Sequence, residues 1–112
     1  MEKDEIIELT EAVYEIVALV PTGRATSYGA IAKAIGRPDH SRLVGRIMGA
    51  CDSDRTGVPA HRVVNSQGVL SARAAFGTPT RMQELLEAEG ITVRNDRIVN
   101  WKKVFWNPLE EL

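Results

Sequence analysis

Apolar residues recur at steps of three or four along the N-terminal segment, at Ile6, Leu9, Val13, Ile16 and Val20, while Glu5, Glu8, Glu11 and Glu15 lie off that stripe. The spacing predicts an amphipathic helix with one buried face, ended by Pro21-Thr22-Gly23. Thr26 or Ser27 supplies an N-cap for a second helix carrying Ile31, Ala32 and Ile35, and Gly36-Arg37-Pro38 stops it. A third helix is expected from about Ser41 to Ala50. Two short helices joined by a tight glycine-containing turn read as a helix-turn-helix or as a purely structural helical hairpin.

The third helix carries two faces. Leu43, Val44, Ile47 and Ala50 form the expected buried one, while Arg42, Gly45, Arg46 and Gly49 fall at i, i+3, i+4 and i+7 on another that is basic and nearly without side-chain bulk. An interior glycine costs a helix about 1 kcal/mol relative to alanine, so two on one face call for a compensating close approach. A neighbouring helix packed on the glycines would supply it. A phosphate-bearing surface would too, and the flanking guanidiniums favour the phosphate.

Beyond a loop rich in Asp, Ser and Gly, Val63-Val64 and Val69-Leu70 flank Asn-Ser-Gln-Gly, which predicts a short hairpin. Thr78 as cap, Pro79 in the first turn and Gly90 as terminator bracket a helix through Met82, Leu85 and Leu86. A second hairpin is expected around Arg94-Asn95-Asp96, between Ile91 to Val93 and Ile98 to Val99, with Trp101, Phe105 and Trp106 covering the core. The pattern as a whole is mainly α with a small β-hairpin, a winged-helix-like helix-turn-helix domain.

Length and composition narrow the class. At 112 residues, 44% hydrophobic and 26% charged, the chain is expected to fold as a single domain, residues 1–112, and disordered or collagen-like classes are set aside. The uncharged stretch from Ile16 to Gly23 is far below the roughly 18 residues of a membrane span, so no membrane association and a cytoplasmic, unprocessed, monomeric protein are expected. Cys51 alone allows no internal disulfide, and with His40 and His61 it makes no recognisable metal spacing. No cofactor is implied. The net charge of -1 hides an uneven distribution: residues 1–15 carry -5 and residues 24–73 carry +5. A basic middle between acidic ends suits a polyanion-binding face.

Pro-Ala-His-Arg-Val at 59–63 resembles the Pro-Cys-His-Arg-Val active-site motif of the O6-alkylguanine-DNA alkyltransferases, with Ala60 in place of the nucleophilic cysteine. Val20-Pro21-Thr22-Gly23, Thr26-Ser27-Tyr28-Gly29, Ile31-Ala32, Arg42-Leu43-Val44-Gly45, Asn65-Ser66-Gln67-Gly68 and Leu86-Glu87-Ala88-Glu89-Gly90 follow that family's DNA-binding domain in order, covering about residues 10–90. The preceding non-catalytic domain of many alkyltransferases is not expected here. Small size, a non-cysteine residue at position 60 and a Trp-Asn-Pro tail at 106–108 are similar to the alkyltransferase-like proteins, non-enzymatic relatives that bind alkylated DNA.

The resemblance implies a role for each matching residue. Arg42 corresponds to an arginine finger that fills the space left by an extruded guanine, and Tyr28 to the tyrosine that helps rotate the nucleotide and borders the pocket. Gly45, Arg46 and Gly49 complete the DNA-binding face. The backbone amide of Val63 and the carbonyl of Ala60 correspond to groups that recognise the base edge. Arg73, thirteen residues after Ala60, stands where the alkyltransferase-like proteins carry an arginine. Ala60, Val63, Arg73 and Tyr28 would thus line the lesion pocket. His61 and Glu89 match the pair that activates the thiolate, which beside Ala60 has nothing to deprotonate. Cys51, nine residues beyond Arg42, is expected as a small buried residue outside the pocket, with Cys51-Asp52 replacing a bracing asparagine. The partner implied is double-stranded DNA containing O6-alkylguanine, flipped and held without repair and passed to nucleotide excision repair proteins, near the nucleoid in a bacterium or in the nucleus of a eukaryote. A transferase whose cysteine had been replaced, a winged-helix transcription regulator and a structural interaction domain are the alternatives.

Overall fold

The computed structural model describes residues 2–78 and 80–112, with the side chains of Ala74 and Ala75 left aside. Helix α1, Lys3–Ala18, buries Leu9, Val13 and Val17, and Val20 follows them into the core. Val17 takes the fully buried place on this stripe, and the expected Ile16, half-buried, packs against the same core. Ile6, expected inside, is 38% exposed. Strand β1, Thr26–Ser27, leads directly into α2, Tyr28–Ala34, where the Ser27 side chain accepts a hydrogen bond from the Ala30 amide at 3.1 Å. Gly36, at φ +77°, supplies the left-handed turn that no β-carbon-bearing residue enters cheaply. Helix α3, Ser41–Gly49, then packs back on α2. Its buried residues are Val44, Ile47 and Met48, while Ala50, expected inside, is exposed.

After α4, Ser53–Thr56, a 3-10 turn at Ala60–Arg62 enters β2, Val63–Val64. The hairpin expected from Val63 to Leu70 is not a strand ladder. β2 pairs in parallel with β1, Thr26 opposite Val63 and Ser27 opposite Val64, and Asn65 to Val69 form only a tight turn on its end. Successive strand residues point to opposite faces. Val63 accordingly joins a core of Val13, Val17, Ile31, Val44 and Ile47, and Val64 joins a second core of Leu70, Met82, Leu86, Ile91 and Ile98.

A further 3-10 turn, Arg73–Phe76, precedes α5, Arg81–Ala88. This helix begins later than the expected Thr78 cap, with Thr80 preceding it and making no side-chain capping bond. Pro79 lies outside the described residues. The hairpin of the fold is β3, Val93–Arg94, with β4, Arg97–Ile98, joined by Asn95 and Asp96 at φ 53° and 60°. Positive φ at both central residues is the mark of a type I′ hairpin turn, so this element forms where its turn chemistry predicts. Helices α6, Trp101–Val104, and α7, Pro108–Glu111, close the chain. Arg24 holds this tail, donating through Nε to the Val104 carbonyl at 3.0 Å and through Nη2 to the Phe105 carbonyl at 2.7 Å. The architecture is thus mainly helical with small sheets, and among the described residues no helix is long and apolar enough to cross a membrane.

Candidate nucleic-acid interface

Arg42, Arg46 and Gly49 of α3 are exposed and Gly45 is half-buried, all on the face opposite Val44 and Met48. A β-carbon added at Gly45 or Gly49 would meet nothing within 4 Å. Among the described residues no neighbouring helix occupies the glycine face, so packing between them does not explain the two glycines. Among the described residues neither Arg42 nor Arg46 makes an ion pair. In front of this face lies an open groove of about 820 Å³, lined by Arg42, Gly45 and Arg46 from α3, Tyr28 and Gly29 from α2, and Asn65 and Ser66 from the turn after β2. The Ser71 hydroxyl reaches Tyr28 Oη at 3.4 Å across its far side.

A second cavity of about 570 Å³ opens at the C-terminal end of α3. Gly49, Ala60 and His61 line it together with Cys51, Asp52, Phe76 and Arg81. Ala60 is 6% exposed and offers the cavity a methyl group. Val63 is buried, and its amide donates to the Ala60 carbonyl to close the 3-10 turn. Arg73 lines neither opening and pairs with Asp96 on the surface. The expected set is therefore divided: Tyr28, Arg42, Gly45 and Arg46 face the groove, Gly49, Ala60 and His61 face the cavity, and Val63 supports the cavity from behind. Cys51 corrects the expectation that it lies outside, since it shares the cavity wall with Ala60.

The turn under Ala60 is held by one carboxylate. Glu89 Oε2 lies 2.6 Å from His61 Nε2 and accepts from Arg62 Nη2 at 2.8 Å, and Oε1 accepts from Arg62 Nε at 3.0 Å and from the Gly23 amide at 3.2 Å. Burial alone would raise the Glu89 pKa, but the hydrogen bonds from Arg62, His61 and Gly23 outweigh it and hold the group at about 2. Arg62 completes the anchor with bonds to the Val20 carbonyl at 2.9 Å and Thr22 Oγ1 at 3.0 Å. Sequence reasoning missed this role of Arg62, which sat unread in the motif. Phe76 and Arg81 were missed because separate segments bring them to the cavity, and Asp52, read only as part of the Cys51-Asp52 replacement of a bracing asparagine, lines the cavity itself. No group of three or more His, Cys, Asp or Glu residues among those described could hold a metal ion.

Residues 8–91 match the family model described as 6-O-methylguanine DNA methyltransferase, DNA binding domain. The chain belongs to that family. Within it, the chain is 33% identical over 105 residues to alkyltransferase-like protein 1 of Schizosaccharomyces pombe, covering 90% of this chain and 96% of that protein. It is also 34% identical over 107 residues to the DNA base-flipping protein of Escherichia coli, covering 96% and 79%. The S. pombe protein solved in complex with damaged DNA containing O6-carboxymethylguanine superposes with a TM-score of 0.81 at 33% identity, over 95% of this chain and 98% of that one. The helix-turn-helix arrangement and the turn bearing Ala60 are thus parts of an alkyltransferase-like DNA-binding fold.

Proposed function

We propose that this alkyltransferase-like protein binds duplex DNA containing O6-alkylguanine, turns the modified nucleotide out of the helix into the Ala60 cavity, and holds it there with the alkyl group intact. The observation that carries this reading is the bare basic face of α3, where a β-carbon on Gly45 or Gly49 would meet no described atom within 4 Å and which ends at a cavity with no nucleophile at position 60. A cavity of about 570 Å³ falls within the roughly 300–1,000 Å³ of small-molecule pockets. Extruding a base costs a few kcal/mol, and least where the base is damaged and already poorly paired, so discrimination begins in the DNA.

Arg42 enters the stack where the base has left, Tyr28 guides the nucleotide past the lip of the groove, and Arg46 binds phosphate beside them. The Ala60 carbonyl, with one lone pair engaged by the Val63 amide, keeps a second for a donor on the base edge. The Val63 amide itself reaches the base only when that turn opens. Arg73 leaves its exposed ion pair with Asp96 and covers the flipped purine, at little cost because surface pairs are worth about 0–1 kcal/mol. Alkyl transfer needs a thiolate in line with the alkyl carbon, and Ala60 supplies no such atom. His61 and Glu89 then serve to hold the turn. With the lesion bound and unrepaired, removal falls to another system, nucleotide excision repair in our reading.

A gel-shift comparison of matched duplexes tests this, with tighter binding expected for the O6-methylguanine duplex than for the unmodified one. Equal affinity for the two overturns the lesion reading. Radiolabelled O6-methylguanine duplex should leave no label on the protein, and label recovered at Cys51 would show that the cavity wall supplies the missing sulfur.

A further inference from the structure

On the other side of the Asn65 to Val69 turn lies a shallow surface of about 470 Å³ lined by Gln67, Arg97, Asn100, Trp101, Lys102 and Lys103. Three of these six are basic and none is acidic. The turn is a stiff wall between this shelf and the α3 groove. Asn65 Oδ1 accepts from the Gln67 and Val69 amides at 2.9 Å each, and Trp101 Nε1 donates to the Ser66 carbonyl at 3.0 Å. Gly68, at φ +80°, lies so close to the indole that a β-carbon there would stand 3.1 Å from Trp101 Cγ. The shelf and the groove therefore keep a fixed relation, Asn65 and Ser66 facing one and Gln67 the other.

A second feature marks the shelf as built for an anion. Arg94 and Arg97 stand directly opposite one another in the β3–β4 ladder, an arrangement that like charges make unfavourable. Asp96, the acid between them, is turned to Arg73, while Arg97 Nε is fixed on the Gln67 carbonyl at 3.0 Å. Among the described residues Arg94, Lys102 and Lys103 make no ion pair. Packing within the chain gives no return for this concentration of positive charge.

We infer that the Arg97, Lys102 and Lys103 shelf is a second phosphate-binding surface, which takes the backbone of the same duplex to one side of the lesion while α3 occupies its groove. The inference rests on the DNA-binding reading above. Its occupant is the continuous phosphodiester chain, because the shelf continues the groove across a wall one turn thick and presents charge without a pocket for a base. Ser66, which lines the groove, and Gln67, which lines the shelf, are consecutive residues, so the two surfaces adjoin within the reach of one duplex. The shelf reads no sequence and no lesion. It sets the register of the duplex across the groove and lengthens the footprint on one side only.

The test is the double variant Lys102→Ala/Lys103→Ala of the full chain, whose two exposed side chains make no hydrogen bond among the described residues. Affinity is measured against salt on O6-methylguanine and unmodified duplexes of about 25 base pairs. The slope of log affinity on log salt should flatten by about 1.8 and binding should weaken by about 10- to 60-fold near 0.1 M salt, equally on both duplexes. Duplexes shortened on one side of the lesion should lose the difference between parent and variant, and those shortened on the other should keep it. An unchanged slope, including one that leaves the shelf to an acidic protein, overturns the inference, as does a loss confined to the alkylated duplex. If the parent itself shows no preference for the lesion, the reading of the cavity fails and the shelf result still stands.

Discussion

Glu89 sits at the junction of three segments, accepting hydrogen bonds from the Arg62 side chain and the Gly23 amide and pairing with His61, and so fixes the turn that floors the cavity. Its folded pKa, near 2, lies below the ordinary carboxylate value of 4.5, so the stability it contributes is complete above about pH 4.5 and is lost as pH falls through the folded pKa. Glu89→Gln should flatten the fall of stability between about pH 4.5 and 2, seen in urea melts at stepped pH. At pH 7 it should cost about 1–3 kcal/mol, since the Arg62 guanidinium loses its charged acceptor. Arg73 answers to a different measurement. A guanidinium over the flipped purine is worth about 0.5–2 kcal/mol, so Arg73→Ala should weaken binding of alkylated duplex by roughly 2- to 30-fold and change unmodified duplex little. An unchanged ratio of the two affinities, together with a salt slope flattened by about one unit, would place Arg73 among the phosphate contacts.

Helix α3 shows how far an element can be read from its residues. Its boundaries and basic face follow from local spacing, and Ser27 and Gly36 mark the ends of α2 by their own chemistry. The β3–β4 hairpin was legible for the same reason, since Asn95 and Asp96 make the turn. β2 was not. Val63 and Val64 pair with Thr26 and Ser27, far back in the chain, and a parallel pair of two residues carries no local signature. The cavity was half legible. Ala60 and His61 stand in a motif, but Cys51, Phe76 and Arg81 come from segments that meet only in the folded chain. The glycines of α3 yield a prediction in which stability and binding move in opposite directions. Gly45→Ala places a methyl group in open space, so it should stabilise the protein by about 1 kcal/mol in thermal melts. The same methyl group stands in the groove, and gel shifts should show weaker binding to every duplex.

Across the whole molecule, charge counted along the sequence overstates what is free for a partner. Four of the eight basic residues between 24 and 73, namely Arg24, Arg37, Arg62 and Arg73, are paired with Glu111, Glu5, Glu89 and Asp96. The +5 of that stretch is partly structural, while Arg42 and Arg46, side by side on α3, make no ion pair among the described residues. Arg24 shows the structural use most clearly, because it ties the α6–α7 tail beside β1 by bonds to the Val104 and Phe105 carbonyls and to Glu111. Arg24→Ala should cost about 2–3 kcal/mol in denaturant unfolding and raise hydrogen exchange at the Trp106 amide, which donates to the Ala25 carbonyl at 2.7 Å.

The side chain at position 60 takes no part in any bond that holds its turn: the Val63 amide, His61, Arg62 and Glu89 carry that work through the backbone and through neighbours. Ala60 is buried in the same core as Val58 and Val63, so inheritance can alter this position only within the size that core admits. A substitution that keeps this side chain small leaves the backbone turn, the bare face of α3 and the Glu89 anchor as they are.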